Sequence, residues 1–304
     1  MSIPRIAAYP LPEPATWPAS RVPWQPDPMR AALLIHDMQD YFLAFYDTTQ
    51  SPVPQLVEHI QRIRQACHAA GVPVFYTAQP GQQSHTDRAL LQDWWGPGIT
   101  AYPEQSAVVS ALSPTDKDTV LTKWRYSAFA KSDFQHQLQQ SGRDQLIVCG
   151  IYAHIGVMTT CVDAFMRDIQ PFLVADAVAD FSQAEHEMAL KWVSGRCGVV
   201  TGTDALIQSL QPTPALRLYA NEHALLVDVA EAMGMPASDL QADDNLVDMG
   251  LDSIRLMAMI AKWKKAGCQV DFPSLAKVPT IQAWWPLLTR ASAHAPQQEN
   301  NLGA

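Results

Sequence analysis

Several polar side chains that could do acid–base chemistry come directly after apolar runs of the chain. His36, Asp37, Gln79 and Lys123 all lie at such positions. A carboxyl group buried at the end of an apolar strand has a raised pKa and can hold a proton near neutral pH, whereas a close lysine lowers that pKa. We therefore treat Asp37 and Lys123 as a coupled pair, and the sequence leaves open which of the two effects prevails.

The hydroxyl of Ser253 is a second candidate for chemistry. It follows a Gly-Leu-Asp sequence at 250–252, and Asp-Ser is typical of the start of a helix, whose positive end suits a phosphodiester. An ordinary N-cap before an amphipathic helix is the alternative interpretation of Asp-Ser alone. The preceding loop carries five aspartates and no Lys or Arg, so it would attract basic partner surfaces. These aspartates are Asp239, Asp243, Asp244, Asp248 and Asp252.

The elements that position the first group of residues alternate along the chain. Apolar, β-rich runs predict six strands, and segments with helical spacing lie between them. This alternation predicts an α/β fold, a parallel sheet with helices on both faces, whose sites gather at the carboxyl ends of the strands. The predicted strands are 31–35, 72–77, 119–122, 145–149, 171–175 and 198–201. The predicted helices are 56–70, 132–140, 157–168 and 183–194.

A second unit begins where this alternation stops. We predict a large domain at 1–210, a Pro-containing linker at 211–219, an all-α four-helix domain at 220–290 and a disordered tail at 291–304. Within the small domain, the patterns predict helices at 222–233 and 253–266, a turn near Phe272 and a last helix that begins after Thr280.

Composition excludes several classes of protein. The chain has 304 residues, of which 48% are hydrophobic and 17% charged, a composition typical of a folded protein large enough for two cores. No run approaches the roughly 20 apolar residues of a membrane span. The net charge of −9 argues against a nucleic-acid partner. Five cysteines without CxxC or metal-ligand spacing indicate reduced thiols in a cytoplasmic protein.

The sequence DMGLDSIRL at 248–256 resembles the signature of acyl, peptidyl and aryl carrier proteins. The resemblance implies that 4'-phosphopantetheine is the covalent cofactor and that Ser253 is its attachment site. A phosphopantetheinyl transferase, as a partner, would supply the base and the metal for that attachment. Leu256 and Met257 follow Ser253 on the same side of the predicted helix, and we expect at least one of them to be an exposed apolar anchor for a partner.

Three segments of the large domain resemble the isochorismatase family, a branch of the cysteine hydrolase superfamily: LLIHDMQ at 33–39, KWRYSAF at 123–129 and GIYAHIG at 150–156. In the amidase branch, the positions that match Asp37, Lys123 and Gly156 hold Asp, Lys and a nucleophilic Cys. Glycine at the third position disfavours amide hydrolysis, because no acyl-enzyme can form without a thiolate. Cys161, five residues further on, would point elsewhere on the helix.

The resemblance therefore implies an isochorismate lyase that needs neither a metal nor a redox cofactor. Isochorismate and water would give 2,3-dihydro-2,3-dihydroxybenzoate and pyruvate. Asp37 would protonate the enol-ether methylene carbon, water would add to the oxocarbenium ion, and the hemiketal would collapse. Lys123 would orient Asp37 and the water or offset one substrate carboxylate.

The same resemblance implies a set of substrate-binding residues. Arg88 could hold one carboxylate of the dianionic substrate with two hydrogen bonds. Gly156 would leave room for the substrate ring. His36 and His154 are interpreted as structural histidines, and the Ile151–Tyr152 bond is expected to be cis, as in relatives. The predicted substrate contacts are Gln79, Arg88, Tyr152 and Gly156, with Phe42, Trp94 and Tyr126 as walls of the pocket.

Together the two resemblances imply a bifunctional isochorismatase and aryl carrier protein of catechol siderophore assembly. A 2,3-dihydroxybenzoate-adenylating ligase would load Ser253, a synthetase condensation domain would take the aryl group, and the large domain would form a homodimer. One alternative is a hydrolase for the amino analogue of isochorismate in a phenazine-type pathway, where a fused carrier is unexpected. The other is a carrier scaffold with an inactive large domain, against which the intact Asp37 and Lys123 argue.

Overall fold

The computed structural model describes residues 3–211, 219, 221–265, 268 and 270–289. The chain divides after Gln211 into two compact units, Met1–Gln211 and Pro212–Ala304. The tail predicted at 291–304 lies outside the described residues, as does the linker predicted at 211–219 except for Gln211 and Tyr219. None of the helices in the described ranges is long and apolar enough to cross a membrane.

A single parallel sheet forms the centre of the first unit, and its strand order is β3-β2-β1-β4-β5-β6. All five neighbouring pairs are parallel. The six strands predicted from the sequence are all present, and the parallel arrangement is confirmed. The strands are Ala31–His36 (β1), Val74–Ala78 (β2), Thr119–Thr122 (β3), Gln145–Ile151 (β4), Gln170–Ala179 (β5) and Val199–Thr201 (β6).

Helices cover both faces of this sheet because its central strands are apolar on both sides. In β1, Ala31, Leu33 and Ile35 point into one core, whereas Ala32 and Leu34 point into the other. A π-helix, Ala153–Val157, leads into α6 and replaces the start of the helix predicted at 157–168. The helices are Asp40–Leu43 (α1), Val53–Ala69 (α2), His85–Arg88 (α3), Leu90–Trp95 (α4), Phe134–Gln140 (α5), Met158–Phe165 (α6), Gln183–Arg196 (α7) and Thr203–Leu210 (α8).

The strand order reverses between β1 and β4. After β1 the chain builds β2 and β3 on one side, and it then returns to add β4 on the other side of β1. The loops that leave β1 and β4 therefore diverge and open a crevice at the carboxyl ends of the strands. Asp37 follows β1 and Tyr152 follows β4, so both residues stand at this crevice.

The second unit is helical in its described part. Asn221 caps α9 by accepting a hydrogen bond from the Ala224 N–H at 2.9 Å, and the helix ends at Gly234 in the left-handed conformation with φ 75°. The fully buried rings of Trp263 and Trp284 meet edge to face in its core. Near Phe272, the predicted turn is a six-residue helix. The helices are Glu222–Met233 (α9), Ser253–Lys265 (α10), Phe272–Lys277 (α11) and Ile281–Thr289 (α12).

Candidate active site

A buried ion pair joins the ends of β1 and β3. Lys123 Nζ donates to Asp37 Oδ2 at 2.9 Å, and the two side chains are 3% and 10% exposed. Because β2 lies between these strands, the lysine reaches across the end of β2. Thr77, in β2, donates its hydroxyl to Asp37 Oδ1 at 2.6 Å and accepts the Asp37 N–H at 3.0 Å. Both carboxylate oxygens are therefore held in place. The backbone of Asp37 is in the left-handed region, with φ 50°.

The structure decides the balance of effects on Asp37 that the sequence left open. Burial raises the pKa of the Asp37 carboxyl, but the Lys123 charge, His36 and the hydrogen bonds from Thr77 and Lys123 together outweigh burial and hold the pKa below its ordinary value. In the free pocket Asp37 is therefore a carboxylate at neutral pH. To act as an acid it must gain a proton when substrate binds.

Asp37 and Lys123 line a pocket at the β1/β4 crevice, as expected for a site at a topological switch point. The Tyr152 hydroxyl donates to the Phe42 carbonyl at 2.8 Å, which ties the segment after β4 to α1. The Ile151–Tyr152 peptide bond is cis, as expected. Eight of the predicted site residues line the pocket: Asp37, Phe42, Gln79, Arg88, Lys123, Tyr126, Tyr152 and Gly156.

Arg88 is a second buried cation that lines the pocket. Its Nε donates to the Gly96 carbonyl at 2.5 Å, and its buried Nη1 has no hydrogen-bond partner among the described residues. The guanidinium lies over Gly98, where an added Cβ would stand 2.1 Å from Nη2. An unpaired, buried guanidinium nitrogen that lines a pocket is suited to an anionic ligand.

Trp94 does not form a wall of the pocket as predicted. Its side chain is 60% exposed, and the adjacent Trp95 lines the pocket instead. Trp95 also donates its indole N–H to the Tyr126 hydroxyl at 2.8 Å, which joins two walls of the pocket. Consecutive residues of a helix point about 100° apart, so only one of two adjacent tryptophans in α4 can face the pocket.

Several residues that shape the pocket were not predicted from the sequence. Gln39 is fully buried and clamps the Gln79 backbone, because its Oε1 accepts the Gln79 N–H at 2.8 Å and its Nε2 donates to the Gln79 carbonyl at 2.9 Å. The available signal for both residues was a polar side chain at or just after the end of a predicted strand, Gln39 after the first strand and Thr77 at the end of the second. Further lining residues that had no distinctive pattern are Tyr41, Trp95, Ile99, Arg125, Ile155 and Phe181.

The two histidines that the sequence analysis left outside the catalytic set are both held by the protein. His154 Nδ1 lies 2.5 Å from Asp180 Oδ1; burial lowers the pKa of His154, but Asp180 more than compensates, so the pKa is raised. In the described part of the chain, His154, Asp180 and Glu185 form one group of potential metal ligands. The Asp180 carboxylate there already accepts the backbone N–H groups of His154 and Phe181.

Gly156 lines the pocket, and its lack of a side chain also leaves room for the His36 ring. A Cβ on Gly156 would stand 2.2 Å from Cε1 of the His36 imidazole, so the space belongs to that ring. Cys161 points away from the pocket, as expected, and is fully buried in the second core. All five cysteines are free and buried, and burial raises the pKa of the Cys161 thiol well above its ordinary value.

In the second unit, Ser253 is exposed as the first residue of the 13-residue helix α10. Asp252 caps this helix, because its Oδ1 accepts the Arg255 N–H at 2.8 Å. Gly250 turns the chain with φ 101°, and the next residue, Leu251, is buried in the small core. The serine hydroxyl is therefore presented to solvent at the positive end of a helix.

The surface near Ser253 in sequence is both acidic and apolar. The predicted aspartates are exposed except for Asp244, which is half-buried. Leu256 is a core residue, with 4% of its surface exposed, whereas Met257 and Ile254 are 54% and 82% exposed. Met257 is thus the one of the two predicted anchors that remains accessible.

Comparisons with known proteins agree with both halves of this description. Residues 31–205 match the isochorismatase domain, and residues 223–284 match the phosphopantetheine attachment site. The chain therefore belongs to the isochorismatase family, in a form that carries a phosphopantetheine attachment domain after the isochorismatase domain.

Two relatives extend over both domains. Enterobactin synthase component B of Escherichia coli K12 is 51% identical over 290 residues, which cover 95% of this chain and 99% of that protein. A Bacillus subtilis protein named isochorismatase is 44% identical over 302 residues, which cover 96% of this chain and 97% of that protein. Among solved structures, a cysteine hydrolase from Pseudomonas syringae matches with a TM-score of 0.58 at 26% identity, and the match covers 64% of this chain and 97% of that structure.

Proposed function

We propose that the large domain is an isochorismatase that hydrolyses the vinyl ether of isochorismate to 2,3-dihydro-2,3-dihydroxybenzoate and pyruvate. The observation that carries this proposal is the buried Asp37–Lys123 pair, which opens into a pocket with a second buried cation, Arg88. No cysteine is among the described residues that line the pocket, so the site offers an acid without a thiol nucleophile. The full-length relative named isochorismatase supports the same reaction.

Asp37 acts in this proposal as a proton donor that is regenerated in each cycle. The substrate brings a carboxylate next to its vinyl ether, and a second negative charge beside Asp37 raises the pKa of the aspartic acid in the complex. The acid then transfers its proton to the methylene carbon, which gives an oxocarbenium ion and the Asp37 carboxylate. Water adds to the cation and returns a proton to Asp37, and the hemiketal collapses to pyruvate and the diol.

The two states of Asp37 predict different pH profiles for kcat and kcat/KM. In the free protein the pKa of Asp37 is below its ordinary value, so kcat/KM is expected to fall about tenfold per pH unit above that low pKa. In the complex the pKa is raised, so the fall in kcat is expected to begin at higher pH. Steady-state kinetics across about pH 4 to 9 distinguish the two states, because kcat/KM should already fall at the acidic end of this range whereas kcat should first stay level. If kcat and kcat/KM began to fall at the same pH, a rise in the pKa of Asp37 on substrate binding would be contradicted.

Arg88 and Lys123 supply positive charge for the two carboxylates of the substrate. In Arg88→Lys, the ammonium group cannot form two parallel hydrogen bonds to a carboxylate, so KM is expected to rise about tenfold to a hundredfold with a smaller change in kcat. Arg62→Lys is the matched control, because Arg62 lies outside the pocket lining and forms an exposed ion pair with Asp204. Equal KM values in the two variants would remove Arg88 from substrate binding.

For the second domain, we propose that 4'-phosphopantetheine on Ser253 holds 2,3-dihydroxybenzoate as a thioester. A phosphopantetheinyl transferase, an adenylating ligase and a synthetase condensation domain are the partners of this cycle. The exposed aspartates and the accessible Met257 and Ile254 support docking of partners with basic and apolar surfaces. The full-length likeness to an enterobactin synthase component supports a role in siderophore assembly. We further propose a cytoplasmic location and a homodimer formed by the large domain.

Pyruvate release tests the proposed reaction directly. Purified protein is added to isochorismate, and pyruvate is measured by the oxidation of NADH in the presence of lactate dehydrogenase. Rapid release by the wild-type protein is the expected result. Failure of a folded sample to release pyruvate would move the assignment to the amino analogue of isochorismate, and failure with both substrates would leave a carrier scaffold.

A further inference from the structure

His36 and two glycines form a close-packed group at the end of β1. The His36 side chain is fully buried, and a Cβ on Gly156 would stand 2.2 Å from its Cε1 and 2.9 Å from its Nε2. Gly150, with φ 106°, lies against the same residue, and its Cβ would stand 2.2 Å from the His36 carbonyl oxygen. Atoms cannot approach so closely, so the imidazole fills the space that a side chain at position 156 would need.

The same imidazole contacts the backbone of two walls of the pocket. Nδ1 lies 2.8 Å from the carbonyl oxygen of Ile151, which precedes Tyr152, and Nε2 lies 3.3 Å from the carbonyl oxygen of Tyr126. Nδ1 is also 3.7 Å from Asp37 Oδ2. One ring thus connects the segments that present the proposed acid and two of the aromatic walls.

The His36 imidazole is uncharged near neutral pH. Burial lowers the pKa of His36 to about 4, and the Lys123 charge acts in the same direction, while Asp37 and the two carbonyl contacts oppose them. A neutral imidazole has one N–H group, and the shorter contact indicates that Nδ1 donates to the Ile151 carbonyl. His36 therefore contributes shape and a hydrogen bond rather than charge.

We propose that His36 is a positioning residue that closes position 156 to every side chain, including a nucleophile, and that holds the pocket walls around Asp37. His36 and Gly156 then form a matched pair, and neither can be changed alone without loss. The positioning part of this inference rests on the proposed isochorismatase reaction. The steric part does not depend on it.

A double-mutant cycle of His36→Ala and Gly156→Ala tests the steric part. The measurement is the Tm of the large-domain transition in the full chain. Gly156→Ala alone is expected to lower Tm by about 3 to 10 °C, because the new methyl group overlaps the imidazole. In the His36→Ala background the same change is expected to leave Tm nearly unchanged. Gly195→Ala is the control, because a Cβ at that position in α7 meets no described atom within 4 Å. Equal Tm losses from Gly156→Ala in the two backgrounds would overturn the pairing.

Kinetics of pyruvate release test the positioning part. His36→Ala is expected to lower kcat at least about tenfold with a smaller change in KM, because Asp37 and the pocket walls lose the ring that positions them. His36→Asn, whose amide can donate to the Ile151 carbonyl, is expected to recover part of the loss. The double variant should keep the low kcat of His36→Ala, although Gly156→Ala lowers its Tm no further. An unchanged kcat in a folded His36→Ala protein, or no recovery in His36→Asn, would overturn the positioning role.

The Tm measurements and the kinetic measurements together distinguish a failure of this inference from a failure of the proposed function. If the wild-type protein releases no pyruvate, the proposed function and the positioning part fail together. The Tm values of the four proteins in the cycle then still decide whether His36 closes position 156.

Discussion

Replacing Asp37 by asparagine is expected to reduce pyruvate release from isochorismate by about 10²- to 10⁴-fold, the usual contribution of a general acid. Asparagine has nearly the same shape and can keep the hydrogen bond with Thr77, but its amide cannot transfer a proton to carbon. The Asp37 carboxylate also faces Lys123 Nζ at 2.9 Å, so the substitution leaves a buried ammonium without its counter-ion. Pyruvate release coupled to lactate dehydrogenase measures the loss of activity.

Asp40→Asn is the matched control for this substitution. Asp40 lies three residues further along the chain, is exposed and begins α1. It is expected to retain wild-type activity. Circular dichroism and the unfolding transition show whether Asp37→Asn remains folded despite the unpaired Lys123. A folded Asp37→Asn protein with a rate within tenfold of wild type would exclude Asp37 as the acid.

Replacing Ser253 by alanine is expected to abolish the attachment of 4'-phosphopantetheine completely, because residues 252–256 contain no other hydroxyl group to accept it. The helix itself should persist, since Asp252 supplies its cap. The measurement is the intact mass of the protein after incubation with coenzyme A and a phosphopantetheinyl transferase. Pyruvate release by the same variant is expected to be unchanged.

Ser274→Ala provides the control for Ser253. Ser274 is also exposed in the first turn of a helix that an aspartate caps, since the Asp271 carboxylate accepts its N–H at 2.8 Å. Its variant should accept 4'-phosphopantetheine like the wild-type protein. Attachment to Ser253→Ala would show that another residue is modified. Loss of both activities in a folded Asp37→Asn or Ser253→Ala protein would contradict the assignment of one activity to each domain.

Much of the fold could be predicted because its signals are local. Strand β1 is an apolar run bounded by charged or polar residues, and α9 begins at Glu222 and ends at Met233, the limits that its apolar spacing and Gly234 predict. Alternating strands and helices then leave few arrangements other than a parallel sheet. The short helix at Phe272–Lys277 was missed because six residues contain too few turns to show a period.

The lining of the pocket was predicted less completely, and the errors have a common cause. Trp94 and Trp95 cannot be told apart by sequence, because the direction of each side chain depends on where the short helix α4 begins and how it packs. Gln39 and Thr77 act on Gln79 and Asp37 from other segments of the chain. Contacts of this kind depend on the register of neighbouring strands, which single-segment patterns do not contain.

The sequence by itself determined the identity of the chemical groups: Asp37 and Lys123 after two strands, a glycine at position 156 and Ser253 at the start of a helix. Only the tertiary structure decided how these groups behave. The pKa of Asp37 is lowered because the sheet brings Lys123 across β2 to its carboxylate. Position 156 is closed because β4 lies beside β1 and brings His36 against it. Electrostatic and steric effects depend on distances between segments far apart in the chain, and folding sets those distances.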